Sequence, residues 1–158
     1  MKDQMIDPKT LRKVAGCFAT GVTVVSVRTP EGSIHGMTAS SFLSVSLAPP
    51  LVLFSVMNEN QLNNYLEKGA KVGISILDEQ REDVSNHFAK ITLLDNPPEF
   101  TEKEETPVLT QSHAWYATTV EELIPAGDHV LVLCRVEALE ANLDANPLIY
   151  YKGYKKLK

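Results

Sequence analysis

Hydroxyl side chains are concentrated in one short stretch of this chain, residues 36–50, with the sequence GMTASSFLSVSLAPP. They are Thr38, Ser40, Ser41, Ser44 and Ser46. The apolar residues between them are Met37, Phe42, Val45 and Leu47. These apolar residues predict a segment packed into the interior, where a hydroxyl needs a hydrogen-bonding partner. Such a line of donors suits a polar ligand with phosphate and carbonyl oxygens, and bonds to neighbouring backbone are the alternative.

A second group that could do chemistry is Gly127-Asp128-His129, which stands between two predicted strands. Glycine permits a tight turn, aspartate can orient an imidazole, and histidine supplies a positive charge or a proton near neutral pH. The alternative is a hairpin tip with an exposed histidine. Spacing alone favours this alternative, because Gly-Asp turns are common.

Two further groups allow both a functional and a structural interpretation. Phe88 and Ala89, in the sequence SNHFA, could line an apolar pocket, but the pattern alone favours a helix core contact for Phe88. A cluster of amides lies at the start of a short predicted helix, whose first backbone N–H groups could hold a phosphate. Capping and surface solvation explain these amides equally well. They are Asn58, Asn60, Asn63 and Asn64.

The composition is that of one ordinary globular domain over residues 1–158, with 44% hydrophobic and 22% charged residues. A net charge of -5 at pH 7 argues against a nucleic-acid partner. No apolar run approaches the roughly 20 residues of a membrane span, and the first ten residues lack the apolar core of a signal peptide. We therefore expect a cytoplasmic protein with no membrane partner.

Several kinds of site are not expected. The four histidines show no metal-ligand spacing, so we expect no metal. Cys17 and Cys134 both stand in apolar runs and are expected to pack as small hydrophobic residues. The sequence contains no GxGxxG, no Walker loop and no GxSxG.

Periodicity predicts a mainly β protein. Helices are predicted at residues 8–21, 60–68 and 78–89. Strands are predicted at residues 22–27, from residue 34 onward, and at residues 51–57, 71–77, 115–123 and 129–139. Residues 29–33 and 125–128 are predicted turns, and residues 91–111 a long surface excursion. Because helices do not alternate regularly with strands, a closed or nearly closed antiparallel barrel with a few short peripheral helices is favoured over a doubly wound sheet.

Several short motifs in order resemble the flavin reductase-like family, the FMN-binding split barrels of the flavin reductase and flavoredoxin type. The motifs are FATGVTVV at residues 18–25, GMTASSF at 36–42, SVS at 44–46, PPLV at 49–52, SNHFA at 85–89, GDH at 127–129 and PLIY at 147–150. Each motif is weak alone, but the ordered set spans residues 11–154 and is specific.

The resemblance implies a homodimeric antiparallel split barrel that binds FMN, or FAD in some members, near the subunit boundary. Members use NADH or NADPH to reduce flavin and often supply it to a partner monooxygenase. By position, His129 would face the nicotinamide as the catalytic residue. The implied cofactor-binding residues are Thr38, Ala39, Ser40, Ser41, Ser46, Asn60, Ser85, Phe88 and Ala89.

In a flavin reductase the cofactors carry the hydride chemistry and the protein orients them. Hydroxyl and amide donors of residues 38–41 would stabilise the negative charge that develops on the flavin. Two departures from the family pattern leave alternatives open. Asn60-Gln61-Leu62 stands where members often carry Ser-x-Thr on the phosphate, and Cys134 stands where they usually carry glycine. A non-catalytic FMN carrier or storage protein, or a barrel for another small molecule, remains an alternative.

The sequence of one predicted strand is also consistent with a homodimer. Residues 51–54, with the sequence LVLF, are apolar at successive positions, so both faces of this strand need cover. One face meets the barrel interior, and a second subunit can cover the other. A helix of the same chain could do so instead.

Overall fold

A computed structural model describes residues 5–158 of the protein. Its helices are α1 (Pro8–Ala15), α2 (Glu82–Phe88) and a 3-10 helix at Gln61–Tyr65. The strands in the first half are β1 (Thr20–Gly21), β2 (Thr23–Arg28), β3 (Ile34–Ala39), β4 (Leu43–Leu47), β5 (Pro50–Met57) and β6 (Lys71–Ile76). Those in the second half are β7 (Phe100–Lys103), β8 (Thr106–Leu109), β9 (Ala114–Ala126), β10 (His129–Ala141), β11 (Ile149–Tyr150) and β12 (Tyr154–Lys155).

Seven strands form one antiparallel sheet in the order β3-β2-β6-β9-β10-β5-β4. Side chains from both halves of this sheet, among them Val25, Phe54, Ile74 and Val132, belong to one buried cluster. The sheet therefore curls around this cluster, and a second buried cluster contains Val24, Leu77 and Val84. The edge strands β3 and β4 follow each other in the chain but are not paired with each other, which leaves an open seam. The predicted mainly β antiparallel split barrel with short peripheral helices is confirmed.

The outer face of the curled sheet is covered by the β7–β8 hairpin and by α2. Ser26 Oγ donates to Pro107 O at 2.7 Å, and Leu109 N donates to Ser75 Oγ at 2.9 Å. A Cβ on Gly73 would lie 1.9 Å from Pro107 O, so β8 can approach β6 only at a glycine. Residues 91–111 were predicted to form a long surface excursion, and this is only partly correct. Strand β8, within this segment, is buried against hydroxyls of β2 and β6.

The hydroxyl-rich segment is less buried than its sequence predicts. It divides after Ala39 into two strands, and Met37 and Phe42 pack against the core. Val45 and Leu47 on β4 are 48% and 96% exposed, so the prediction of a packed interior is wrong for this half. The physical reason is that β4 is an edge strand and no other element of the described chain covers it.

Helix α1 begins where predicted, with Pro8 at its first position and Asp7 Oδ2 accepting from Thr10 N at 3.0 Å. It ends at Ala15 rather than near residue 21, and none of its residues is buried. Cys17, which follows it, is exposed, so its predicted packing is wrong. Cys134 is buried as predicted, and burial raises the pKa of its thiol to about 11.

The other predicted helices are shorter in the structure. Residues 60–68 form only the 3-10 helix Gln61–Tyr65, and α2 begins at Glu82 rather than at residue 78. Asp78 is instead held in a bridge with Pro147. Among the described residues, no helix has both the length and the apolar character needed to cross a membrane.

Candidate functional site

The open seam of the barrel contains a cleft of about 630 Å³. Its walls come from β3, from the end of β5 and the turn after it, from the C-terminal end of α2, and from the start of β10. Small-molecule pockets commonly fall between about 300 and 1,000 Å³. Eight of the ten predicted site residues line this cleft: Thr38, Ala39, Ser40, Ser41, Asn60, Phe88, Ala89 and His129.

The most distinctive wall of the cleft is the free edge of β3. This strand pairs with β2 on one side only. The carbonyl of Ala39 accepts from Thr23 Oγ1 at 2.7 Å and so points toward β2. Because main-chain groups alternate in direction along an antiparallel strand, the N–H and C=O of Thr38 point to the open edge. An unpaired strand edge offers a row of donors and acceptors to an incoming group.

The hydroxyls of the cleft divide into two kinds. Ser41 Oγ donates to Ser55 O at 3.1 Å and accepts from Ser55 N at 3.0 Å, which joins the end of β3 to β5. Thr38 Oγ1 donates to Ser85 O at 2.7 Å, which joins β3 to α2. Ser40 is exposed and its hydroxyl has no hydrogen-bond partner among the described residues. Ser40 therefore provides the hydroxyl that remains free for a ligand, while the other two shape the cleft.

Two predicted binding residues do not reach the cleft. Ser85 is fully buried, and its hydroxyl is 2.7 Å from Tyr154 Oη, so it fixes α2 to the C-terminal segment. The same Tyr154 hydroxyl donates to Asn86 Oδ1 at 3.1 Å. Ser46 lies on β4 opposite Leu51, outside the cleft lining. Neither serine lines the seam cleft.

Phe88 rests directly on the backbone of β3. A Cβ added to Gly36 would lie 2.6 Å from the Phe88 ring, closer than any side-chain atom can approach. The ring also makes an edge contact with Phe100, with 5.9 Å between centroids. Gly36 therefore lets an aromatic face form one wall of the cleft beside the free edge of β3.

His129 stands at the tip of the β9–β10 hairpin. Gly127 has a φ of +62°, as the first residue of a two-residue hairpin loop often does. His129 Nδ1 lies 2.7 Å from Asp128 Oδ1, and this hydrogen bond is the main cause that lowers the pKa of Asp128. Asn58 N donates to Asp128 O at 3.0 Å and fixes the turn. Since Nδ1 is engaged by Asp128, Nε2 is the nitrogen left to meet a ligand.

Sequence reasoning missed three titratable residues of the cleft: His35, Glu59 and Lys90. Burial, and then the positive charge of Lys90, lower the pKa of His35. Lys90 directly follows the SNHFA motif, which was the one signal available for it. Within residues 5–158, no group of three His, Cys, Asp or Glu side chains is arranged to hold a metal ion.

A second polar cleft, of about 340 Å³, lies at the opposite end of the β9–β10 hairpin. Its lining includes His113, Trp115 and Asn142. None of the predicted site residues belongs to it, and the two clefts lie at opposite ends of strands thirteen residues long. We therefore take the seam as the functional site.

Comparison with known proteins identifies relatives of the whole barrel. Residues 15–158 match the family model described as a flavin reductase like domain. The NADH-dependent flavin reductase StyB of Pseudomonas fluorescens is 37% identical over 150 residues, which cover 92% of this chain and 87% of the relative. The reductase component of 4-hydroxyphenylacetate 3-monooxygenase of Thermus thermophilus is 39% identical over 141 residues, covering 89% and 90%.

The fold is also similar to that of a solved structure. The NADH:FAD oxidoreductase SgcE6 of Streptomyces globisporus C-1027, in complex with NAD and FAD fragments, superposes with a TM-score of 0.86 at 30% identity. The match covers 98% of this chain and 97% of that one.

Replacement of Gly36 by alanine tests the wall formed by Phe88. The new methyl group must displace the ring, and such overpacking should lower the free energy of unfolding by about 1–3 kcal/mol. Gly21→Ala is the matched control, because a Cβ there meets nothing within 4 Å. Chemical denaturation gives the free energy of unfolding of each variant in the wild-type background and in the Phe88→Leu background. The loss of stability caused by Gly36→Ala should be smaller in the Phe88→Leu background, where the ring is absent. Equal stability of the Gly36 and Gly21 variants would contradict the contact.

Proposed function

The chain belongs to the flavin reductase-like family, and from this premise we propose that it is an NADH-dependent flavin reductase acting as one domain over residues 1–158. It would transfer hydride from the nicotinamide to a flavin and supply the reduced flavin to a monooxygenase. The observation that carries the proposal is the seam cleft, where a free strand edge, an aromatic wall and the GDH histidine come together. The Thermus relative, a monooxygenase reductase component, supports the monooxygenase partner.

FMN is the flavin that we propose, with FAD as the alternative. FMN agrees with the ordered motifs of the chain, and FAD is supported by the fragments bound to the Streptomyces relative. The free edge of β3 fits the flavin ring, because the ring carries carbonyl and N–H groups that can bond to main-chain groups of Thr38. The free hydroxyl of Ser40 adds a donor beside them.

The proposed flavin-binding residues act in different ways. Main-chain groups of Thr38 and Ser40 would hold the polar edge of the ring and stabilise the charge that develops there on reduction. Phe88 and Ala89 would contact the apolar part of the ring, and Asn60 would donate from Nδ2 toward the ribityl chain. Ser41 would hold the cleft open through its bonds to Ser55.

His129 would bind the nicotinamide. When bound, the flavin supplies the redox chemistry, because it accepts a hydride from NADH. With the proton on Nδ1 directed at Asp128, Nε2 is an acceptor that suits the N–H of the nicotinamide carboxamide. In this role His129 positions the reduced nicotinamide beside the flavin, and the reaction needs no amino-acid nucleophile.

Steady-state oxidation of NADH and NADPH with added FMN, FAD or riboflavin tests the function. We expect flavin-dependent oxidation of NADH, faster than that of NADPH.

His129→Ala should raise the KM for NADH or lower kcat while flavin affinity changes little, since a lost nicotinamide contact acts on that substrate. The matched control is His113→Ala, at the other end of the hairpin. Flavin binding without NADH oxidation would instead indicate a flavin carrier, and wild-type kinetics in His129→Ala would remove its proposed role.

We also propose a homodimer whose interface adjoins the cleft. Leu51 and Leu53 lie on the same face of β5 as Ser55 and Met57, since side chains alternate along a strand, and this face is incompletely covered. The neighbouring edge strand β4 exposes further apolar side chains. A second copy of the chain would cover this continuous apolar surface beside the site.

Sedimentation of the flavin-bound protein tests the dimer. We expect about twice the chain mass of 17.5 kDa at micromolar concentration. Leu47→Glu should shift the species toward the monomer, because Leu47 on β4 is 96% exposed and a charge there opposes burial. Leu143→Glu is the control, because Leu143 lies in a turn and is 88% exposed. A wild-type protein that sediments at 17.5 kDa contradicts the dimer.

A further inference from the structure

Helix α2 carries Phe88 into one wall of the cleft, yet little within the helix itself fixes its position. The helix is seven residues long, and an isolated helix of this length is at best marginally stable in water. Arg81, which precedes its first turn, makes no side-chain capping bond. Tertiary contacts must therefore set where α2 lies against β3, and with it the shape of the proposed flavin site.

One residue of α2 connects the helix to two other parts of the fold. The carbonyl of Ser85 accepts from Thr38 Oγ1 at 2.7 Å, on the strand whose free edge lines the cleft. The hydroxyl of the same serine lies 2.7 Å from Tyr154 Oη in the C-terminal segment, residues 147–155. Ser85 is fully buried, so a group that loses one of these bonds is left without a partner. Through Ser85, Tyr154 is therefore linked to β3.

The single phenolic proton of Tyr154 sets the direction of its hydrogen bonds. Tyr154 Oη donates to Asn86 Oδ1 at 3.1 Å, so it accepts from Ser85 Oγ. The Tyr154 ring packs against the second buried cluster, which Phe88 also contacts. Tyr154 itself does not line the cleft. Its hydroxyl therefore holds two consecutive residues of α2 from outside the site.

The C-terminal segment that carries Tyr154 is itself anchored to the barrel. Leu148 is fully buried in the second cluster, and its N–H donates to Leu77 O at 3.0 Å. Strand β11 then pairs with β1 on one side and with β12 on the other. Tyr154 lies on β12, opposite Tyr150, and the two rings make an edge contact with 5.5 Å between centroids. The segment is thus a fixed support for α2.

We propose that Tyr154 is a positioning residue for the flavin site and acts through Ser85 and α2. The proposal rests on the proposed flavin reductase function and adds to it a contact outside the cleft that sets flavin affinity. With α2 held by Tyr154, the Phe88 ring lies on the backbone of β3 at Gly36 and forms the wall that a planar ring contacts. Without this bond α2 occupies that position for only part of the time, and the apparent affinity falls with the fraction that remains.

Tyr154→Phe tests the proposal, because it removes only the hydroxyl. If α2 then keeps its position for about 10–30% of the time, the dissociation constants of FMN and riboflavin should both rise about threefold to tenfold in a fluorescence titration. The KM for flavin should rise in the same way, while kcat at saturating flavin changes little, since bound flavin selects the held position. Tyr150→Phe is the matched control, because Tyr150 is half-exposed and its hydroxyl bonds to no other described residue.

A second comparison separates positioning from a loss of stability. Tyr154→Phe leaves the buried hydroxyl of Ser85 unpaired, so the melting temperature should fall. Thr118→Val removes another buried hydroxyl, which donates to Val72 O at 2.7 Å within the sheet. This variant should also melt at a lower temperature but keep its flavin affinity. The double variant Ser85→Ala/Tyr154→Phe should regain part of the stability, whereas its flavin affinity should stay low because α2 is still unlinked.

Three outcomes would overturn the proposal. Tyr154→Phe could lower the melting temperature and keep the wild-type flavin affinity, Thr118→Val could weaken flavin binding to the same degree, or the double variant could regain wild-type affinity together with its stability. Ser85→Ala, which keeps the bond between Tyr154 and Asn86, gives the same measurement if Tyr154→Phe does not fold. Failure of the proposed function is distinguishable, since it appears in the wild type as flavin binding without NADH oxidation.

Discussion

The proposed site depends on two strand edges whose main-chain groups have no partner strand. Strands β3 and β4 follow each other in the chain, yet they lie at opposite edges of the seven-stranded sheet. A closed barrel would satisfy these edges with each other and leave no room for a ligand. Here Ser41 fixes the seam at one end through its two hydrogen bonds to Ser55, and the rest of the β3 edge faces the cleft. The hydrogen bonds that the sheet leaves unmade are those that a planar polar ligand can make.

Buried hydroxyls assemble the layers around this seam. Ser26 and Ser75 bind the backbone of β8 to the outer face of the sheet, and Thr38 binds the backbone of α2 to β3. Ser85 extends this chain of contacts to Tyr154 in the C-terminal segment. A buried donor or acceptor left without its partner costs about 1–3 kcal/mol. The bonds of Thr38 and Ser85 therefore hold α2 against β3 and the C-terminal segment. The position of α2 in turn sets the positions of Phe88, Ala89 and Lys90 in the cleft.

Much of the architecture could be predicted from local sequence patterns. A run rich in valine predicts β2 to within one residue, and the GDH motif places His129 at a hairpin turn. The role of individual hydroxyls could not be predicted, because their partners are distant in the chain. Ser85 and Tyr154 are 69 positions apart, and no local pattern shows that this bond removes Ser85 from the site. Lys90 was missed for a similar reason, since its left-handed backbone and its direction into the cleft depend on tertiary packing.

We propose that the seam between β3 and α2 is the flavin site. The most direct measurement is a titration with FMN followed by amide chemical shifts of the isotopically labelled protein. The largest changes are expected at the amides of Gly36, Thr38, Ser40 and Ala89, which line the seam. The amides of Thr101, His113 and Asn142, in the cleft at the far end of the hairpin, should not change. Changes confined to the far cleft, with none along β3, would show that the flavin binds elsewhere than in the seam.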